Sequence, residues 1–311
     1  MTFCFLNYNI IVRGLAVIFM KKILILIMVL FIQFVFSIPC FAIKIGLQNG
    51  VSRTFIGTSS QGQILNAQTN KLLYTMPAMK GYEIRAYKNS IAIKIQGDFF
   101  DLKTNYAVIK PALGGYISAK GKWYRGFFIV YNRSGALTVV NNVEIEDYIR
   151  GVVPSEMPSG WNYEAHKAQA VAARSYALAN LGKRANSGYD LKDTPEDQAY
   201  GGASAEASRT NQAVEETKGI VLIYNLKIIP AYYSASAGGQ TSSSSDVWTK
   251  NLPYLKSVPS FDDNIKKNGH GVGMSQHGAN NLAKKGYNAY QILQYFYKGV
   301  KFARINPDYY K

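Results

Sequence analysis

The sequence predicts an α+β fold, and three observations carry that reading. Residues 43 to about 140 gather β-branched and aromatic residues into short runs separated by Gly, Asn and Ser clusters. From Val143 onward, segments with helical and strand patterns intermingle. No repeating strand–helix–strand unit organises them, which argues against a doubly wound parallel sheet. The expected organisation is an N-terminal leader over 1–42, a β-rich N-terminal subdomain over 43–140 and a mixed α/β domain over 141–311.

The β-rich half is read from Ile43-Lys44-Ile45 and Ile91-Ala92-Ile93-Lys94-Ile95, which alternate in character, and from Phe127–Tyr131 and Leu137–Val140. Turn signals separate them at Asn49-Gly50, Gly114-Gly115 and Asn132-Arg133-Ser134-Gly135. In the second half a helix is expected over about 162–182, a polar stretch over Ser187–Ser204 and a helix over about 205–217. Strands follow over Ile220–Tyr224 and about Lys227–Tyr233, then a small-residue loop over Ser234–Ser245 and helices over about 279–285 and 288–297. Seven alanines between Ala165 and Ala179 make the first of these helices the strongest prediction and suggest close packing on several sides.

Residues 23 to 36 are apolar apart from Gln33, follow Lys21-Lys22 and end in Ser37-Ile38-Pro39-Cys40-Phe41-Ala42. That is the pattern of a secretory signal cleaved after Ala42, with Met20 as a plausible true start. An uncleaved segment would instead anchor the chain in a membrane. Cleavage removes both cysteines, Cys4 and Cys40, and three basic residues with no acid, so the formal charge falls from +16 to +13. A basic exported chain suits an anionic envelope polymer and makes nucleic acid an improbable partner.

Chemistry concentrates in Ser155-Glu156-Met157-Pro158-Ser159. Here Val152-Val153 reads as a strand end meeting a proline turn, with Pro154 and Pro158 restricting the backbone around one carboxylate. Glu156 is then either a rigidly aimed general acid or a charge beside the start of the next helix. In that helix Arg174 needs an anionic partner, for which Glu156 and a substrate carboxylate are both candidates. Glu144, Glu146 and Asp147 read as solvated charge or a helix start. A nucleotide-loop reading of Gly269–Gly278 fails on its Gly-x-Gly-x-Gly spacing, and three scattered histidines with no cysteine give no metal site.

These segments resemble the SpoIID family, also called the SpoIID/LytB domain, over roughly residues 140 to 311. The resemblance lies in Tyr148–Pro158, Ala168–Tyr176, Gln198–Gly201, Thr217–Gly219, Tyr233–Thr241 and Gly269–Ala279. It implies an exported peptidoglycan lytic transglycosylase that cleaves between N-acetylmuramic acid and N-acetylglucosamine with a single catalytic Glu156. The substrate's own C6 hydroxyl acts as nucleophile and leaves a 1,6-anhydro end. It implies peptide-stripped glycan strands as substrate, whose free lactyl carboxylate Arg174 could bind; Arg174 as a structural ion-pair partner is the alternative.

Gln198, Tyr200, Tyr233, Ser236, Thr241, His270 and Gln276 are the further candidates for lining a sugar cleft, with Gly238-Gly239 allowing close approach of backbone to ligand. No cofactor is expected. The family also includes non-catalytic wall-binding enhancers of an amidase, so a cell-wall amidase is a possible partner. Two departures stand out. The cysteines and histidines with which some relatives bind zinc are missing, and only Leu252–Asn268 separates the tryptophan loop from the Gly-His-Gly motif.

Overall fold

Alternation of side chains settles the first half of the chain in the computed structural model, which describes residues 42–305. The leader read at 1–42 lies, apart from Ala42, outside the described residues. Strand β1 (Ala42–Val51) buries Ile43, Ile45 and Leu47 while Ala42 and Lys44 face solvent. It is followed by β2 (Arg53–Thr58), β3 (Gly62–Asn66), β4 (Leu72–Met76), β5 (Gly81–Tyr87) and β6 (Ser90–Ile95). Then come β7 (Asp98–Asp101), β8 (Tyr106–Pro111), β9 (Ile117–Ala119), β10 (Lys122–Tyr124), β11 (Phe127–Arg133) and β12 (Ala136–Glu144). One sheet has the order β10-β9-β2-β5-β6-β7, and a second contains β1-β12-β11-β8-β3-β4; all pairings among these twelve strands are antiparallel. Apolar residues of both sheets, among them Ile56, Ile84 and Ile93 from one and Ile45, Ile109 and Val130 from the other, share one core.

Strand β12 runs without a loop into helix α1 (Ile145–Glu156), with Glu144 as its N-cap. This corrects the expected strand end and proline turn: Val152, Val153 and Pro154 are helical, and Glu156 is the last helical residue. Ile145, Tyr148, Ile149 and Val152 are buried at the spacing of one helical face, and Glu146 and Asp147 occupy the first turn, where negative charge is favoured. Their burial outweighs the β preference of two valines. Pro154 in the final turn costs one hydrogen bond rather than the helix. Gly151 permits this packing, since a Cβ there would lie 2.5 Å from the Tyr200 ring and 2.9 Å from the Gly202 carbonyl.

Helix α2 (Tyr163–Ala179) is capped by Asn162, whose side chain accepts the Glu164 amide at 3.0 Å. It is buried on opposite faces. Ala170, Ala173 and Ala177 meet the core of the β half, while Ala165, Ala168, Val171 and Ala172 meet a second core. Only small side chains allow close approach on both sides. Short β13 (Leu191–Lys192) adds in parallel to the outer edge of β1, and α3 (Ser208–Glu216) packs on α2.

The expected strand over 227–233 is split. β14 (Ile220–Tyr224) pairs with β15 (Lys227–Ile228), Pro230 cannot donate to a ladder, and β16 (Tyr233–Ser234) starts afresh. Next in the chain are α4 (Ser244–Val247), β17 (Met274–Ser275), α5 (Gln276–Lys284), α6 (Ala289–Phe296) and β18 (Lys301–Arg304), which pairs with β14. The second core gathers Leu222, Met274, Leu282, Ile292, Leu293 and Phe296 against α2.

Arg174 sits between these parts, completely buried. Its Nε and one terminal nitrogen donate to the two carboxylate oxygens of Glu146 at 2.9 and 2.6 Å, and it also donates to the carbonyls of Ile220 (3.1 Å) and Val214 (3.4 Å). Glu146 accepts the Gly219 amide as well, at 3.0 Å. The anionic partner of Arg174 is therefore Glu146 and not Glu156, and the guanidinium is sealed from the surface. Removing one member of such a pair strands a buried charge. Glu146→Ala should lower unfolding free energy by about 3–5 kcal/mol, as measured by denaturant titration.

Candidate active site

Three stretches distant in sequence meet at the end of α1. β16 and β17 pair in parallel, Tyr233 with Met274 and Ser234 with Ser275, which sets Tyr233 beside Gln276 at the start of α5. The loop after β13 supplies Asp197, Gln198 and Ala199. Between them runs a groove of about 710 Å³. Its walls include Ser155, Glu156, Tyr176, Lys183, Glu196, Asp197, Ala199, Tyr232, Tyr233, Trp248, Lys250, Asn268, His270 and Gln276.

Glu156 is half-buried in this groove. Its Oε1 accepts the Ala199 amide at 2.7 Å, and its Oε2 faces the Gln276 side-chain amide at 3.3 Å. Burial pushes its pKa above the usual glutamate value, and hydrogen bonds from Ala199, Gln276 and Tyr233 only partly offset that. The C-terminal end of α1 disfavours negative charge at the same position. The apolar sequence neighbours Met157 and Trp161 point elsewhere: Met157 lies in the second core, and Trp161 packs against His277 with ring centres 4.6 Å apart.

The Tyr233 hydroxyl is held by Gln198, which donates to it at 2.8 Å. Gln198 also donates to the Ala173 carbonyl and accepts the Tyr148 hydroxyl at 3.2 Å. Burial, and then the nearby Glu156 charge, push the Tyr233 phenol well above its usual value, so it remains a neutral donor. Gln198 itself is completely buried and touches the site only through Tyr233.

Of the predicted residues, Glu156, Tyr233, His270 and Gln276 line the groove. The others do not. Tyr200 is buried and donates to Asn141 at 2.9 Å, Ser236 donates to the Lys266 carbonyl at 2.7 Å, and Thr241 exchanges hydrogen bonds with the Val258 backbone. Arg174 is occupied by Glu146. Gly238 and Gly239, with φ of 73° and 97°, form a left-handed turn outside the groove wall, and the Gly239 amide donates to Asp262.

Asp262 was not expected to have a role, yet it holds the wall together. Its carboxylate accepts the amides of Ala237 (2.7 Å) and Gly239 (2.8 Å) and the hydroxyls of Ser275 (2.6 Å) and Ser260. Burial acts to raise its pKa, but these donors outweigh it and hold the group below the ordinary aspartate value. The short connection thus ties β16 to β17. On the opposite side Asp197 takes Lys183 and Arg184, each at 2.6 Å, and is likewise held ionised. No local pattern marks either aspartate in the sequence. Among the described residues no group of three His, Cys, Asp or Glu side chains could hold a metal ion.

Residues 133–224 match the family model described as SpoIID, Stage II sporulation protein. Over this stretch the chain is similar to the SpoIID/LytB family. It is 41% identical to the "Amidase enhancer" of Bacillus subtilis over 174 residues, 55% of this chain and 22% of that one. It is 27% identical to "Stage II sporulation protein D" of the same organism over 262 residues, 54% of this chain and 76% of that one. An uncharacterized protein of Brachyspira hyodysenteriae is 34% identical over 204 residues, 64% of this chain. The chain spans half the length of the Brachyspira relative and under a quarter of the amidase enhancer.

The raised pKa of Glu156 has a measurable sign. The folded chain keeps this proton to higher pH than the unfolded chain does, so stability falls as pH rises from the ordinary glutamate value through the raised one. Glu156→Gln should therefore unfold at higher temperature than the wild type at pH 7, and the difference should vanish in acid below the usual glutamate range. Melting curves at several pH values check this.

Proposed function

We propose that this protein is an exported peptidoglycan lytic transglycosylase acting on peptide-stripped glycan strands, with Glu156 as the only catalytic carboxyl. One observation carries the reading: a carboxyl at the wall of a groove, whose burial favours the protonated form more strongly than its hydrogen-bond donors oppose it. The long 3.3 Å contact from Gln276 leaves Oε2 as the oxygen for the proton, while the 2.7 Å bond from Ala199 fixes Oε1. Glu156 gives that proton to the oxygen linking N-acetylmuramic acid to N-acetylglucosamine as the C1–O bond breaks. The muramic C6 hydroxyl then attacks C1, closes the 1,6-anhydro ring and returns its proton to the Glu156 carboxylate. Tyr233 orients the carboxyl, and Gln198 orients Tyr233.

A two-carboxylate hydrolase is less well supported. Of the other acids in the groove, Asp197 is committed to two cations and a backbone amide, and Glu196 pairs with Lys192. A second reading, a non-catalytic wall-binding partner of an amidase, is favoured by the 41% identity to the amidase enhancer. No helix among the described residues is long and apolar enough to cross a membrane. Export to the wall or periplasm therefore rests on the leader, with membrane attachment if that leader is uncleaved.

Mass spectrometry of peptide-free glycan treated with the protein should show anhydro-muramic ends. Glu156→Gln should lower their formation by at least about a hundredfold, the scale of a lost general acid. Wild-type cleavage should decline as pH rises through the raised Glu156 value. Reducing ends would indicate hydrolysis instead, and stimulation of an amidase that survives Glu156→Gln would support the enhancer reading.

A further inference from the structure

Charge along the groove is unevenly compensated. Lys183 is engaged by Asp197 and the Tyr176 hydroxyl, and Glu196 and Asp197 both have cationic partners. Lys250 also lines the groove, is exposed, and has no acidic partner among the described residues. Lys267 is exposed too, and its side chain passes over Gly271, next to His270. At this end of the groove two ammonium groups thus have no acid within ion-pair distance among the described residues.

The same end is built from rings. Trp248, Tyr232 and His270 pack together with centre separations of 4.6, 5.2 and 6.0 Å, and all three line the groove. His270 Nδ1 accepts the Val272 amide at 3.0 Å. A backbone N–H can only donate, so Nδ1 is unprotonated and the ring proton sits on Nε2. Burial and the Lys267 charge lower its pKa, which keeps the ring neutral.

We propose that the Trp248–His270 end of the groove is a subsite for a hexosamine bearing a free carboxylate, and that Lys250 is the residue that reads that carboxylate. The inference rests on the glycan-cleavage reading and names the group that selects substrate within it. The indole of Trp248 covers the C–H surface of the sugar ring. His270 Nε2–H donates to a sugar or acetamido oxygen, and the Lys250 ammonium meets the charge. Arg174, buried against Glu146, cannot take this role. A muramic unit still joined to peptide has a neutral amide in place of that carboxylate.

Binding to full-length protein carrying Glu156→Gln isolates this step from turnover. The ligands are peptide-stripped glycan fragments with free lactyl carboxylates, and the same fragments methyl-esterified. Charged fragments should bind about three- to tenfold more tightly than esterified ones, with the preference shrinking in salt. Adding Lys250→Gln should bring the ratio close to one, and Lys250→Arg should restore most of it. A ratio unchanged by Lys250→Gln overturns the subsite and leaves Lys250 an ordinary solvated lysine. If the wild type cleaves no glycan yet loses charge preference with Lys250→Gln, the subsite stands and the transglycosylase reading falls. If it cleaves but ignores the ester, only the subsite falls.

Discussion

The buried pair of Arg174 and Glu146 is the constraint on which the site depends. It joins α1 to α2 and, through the Gly219 amide and the carbonyls of Val214 and Ile220, to the end of α3 and the start of β14. Glu146 lies near the first residue of α1 and Glu156 is the last, about 15 Å further along the axis. A tilt of α1 would swing the carboxyl out of the groove. Two charged side chains, neither touching ligand, thereby aim a third.

The wall opposite is fixed by the same kind of device. Asp262 gathers two amides and two hydroxyls from segments that would otherwise be loops, and Asp197 does so with two cations and the Lys192 amide. Both carboxylates stay ionised because donors outnumber the loss of water around them. Glu156, with fewer and weaker donors, goes the other way. Acids in one region are thus shifted in opposite directions by what surrounds each.

Much of this was legible beforehand. The alanine-rich helix appears at Tyr163–Ala179 against an expected 162–182, and the Ile220–Tyr224 strand falls where it was read. The α+β class and the prominence of Glu156 were also readable, with Tyr233, His270 and Gln276 beside it. Val152-Val153-Pro154 is locally β-like and masks helix α1, although Ile145, Tyr148, Ile149 and Val152 carry helical spacing. Sorting groove-lining from supporting residues was beyond sequence. Gln198, Tyr200, Ser236 and Thr241 are as polar as Tyr233 and Gln276, and only the three-dimensional packing turns their hydrogen bonds inward. Asp262 carried no mark at all, since its four donors come from three separate segments.

The parallel ladder between β16 and β17 bears on when the surroundings of Glu156 form. The groups that alter the Glu156 carboxyl arrive late in the chain: Ala199 some forty positions on, Tyr233 almost eighty and Gln276 about one hundred and twenty. A partly assembled molecule would carry an ordinary, water-covered glutamate at this point, with neither trench nor shifted proton. The shifted carboxyl is thus among the last properties to emerge as the polypeptide closes on itself.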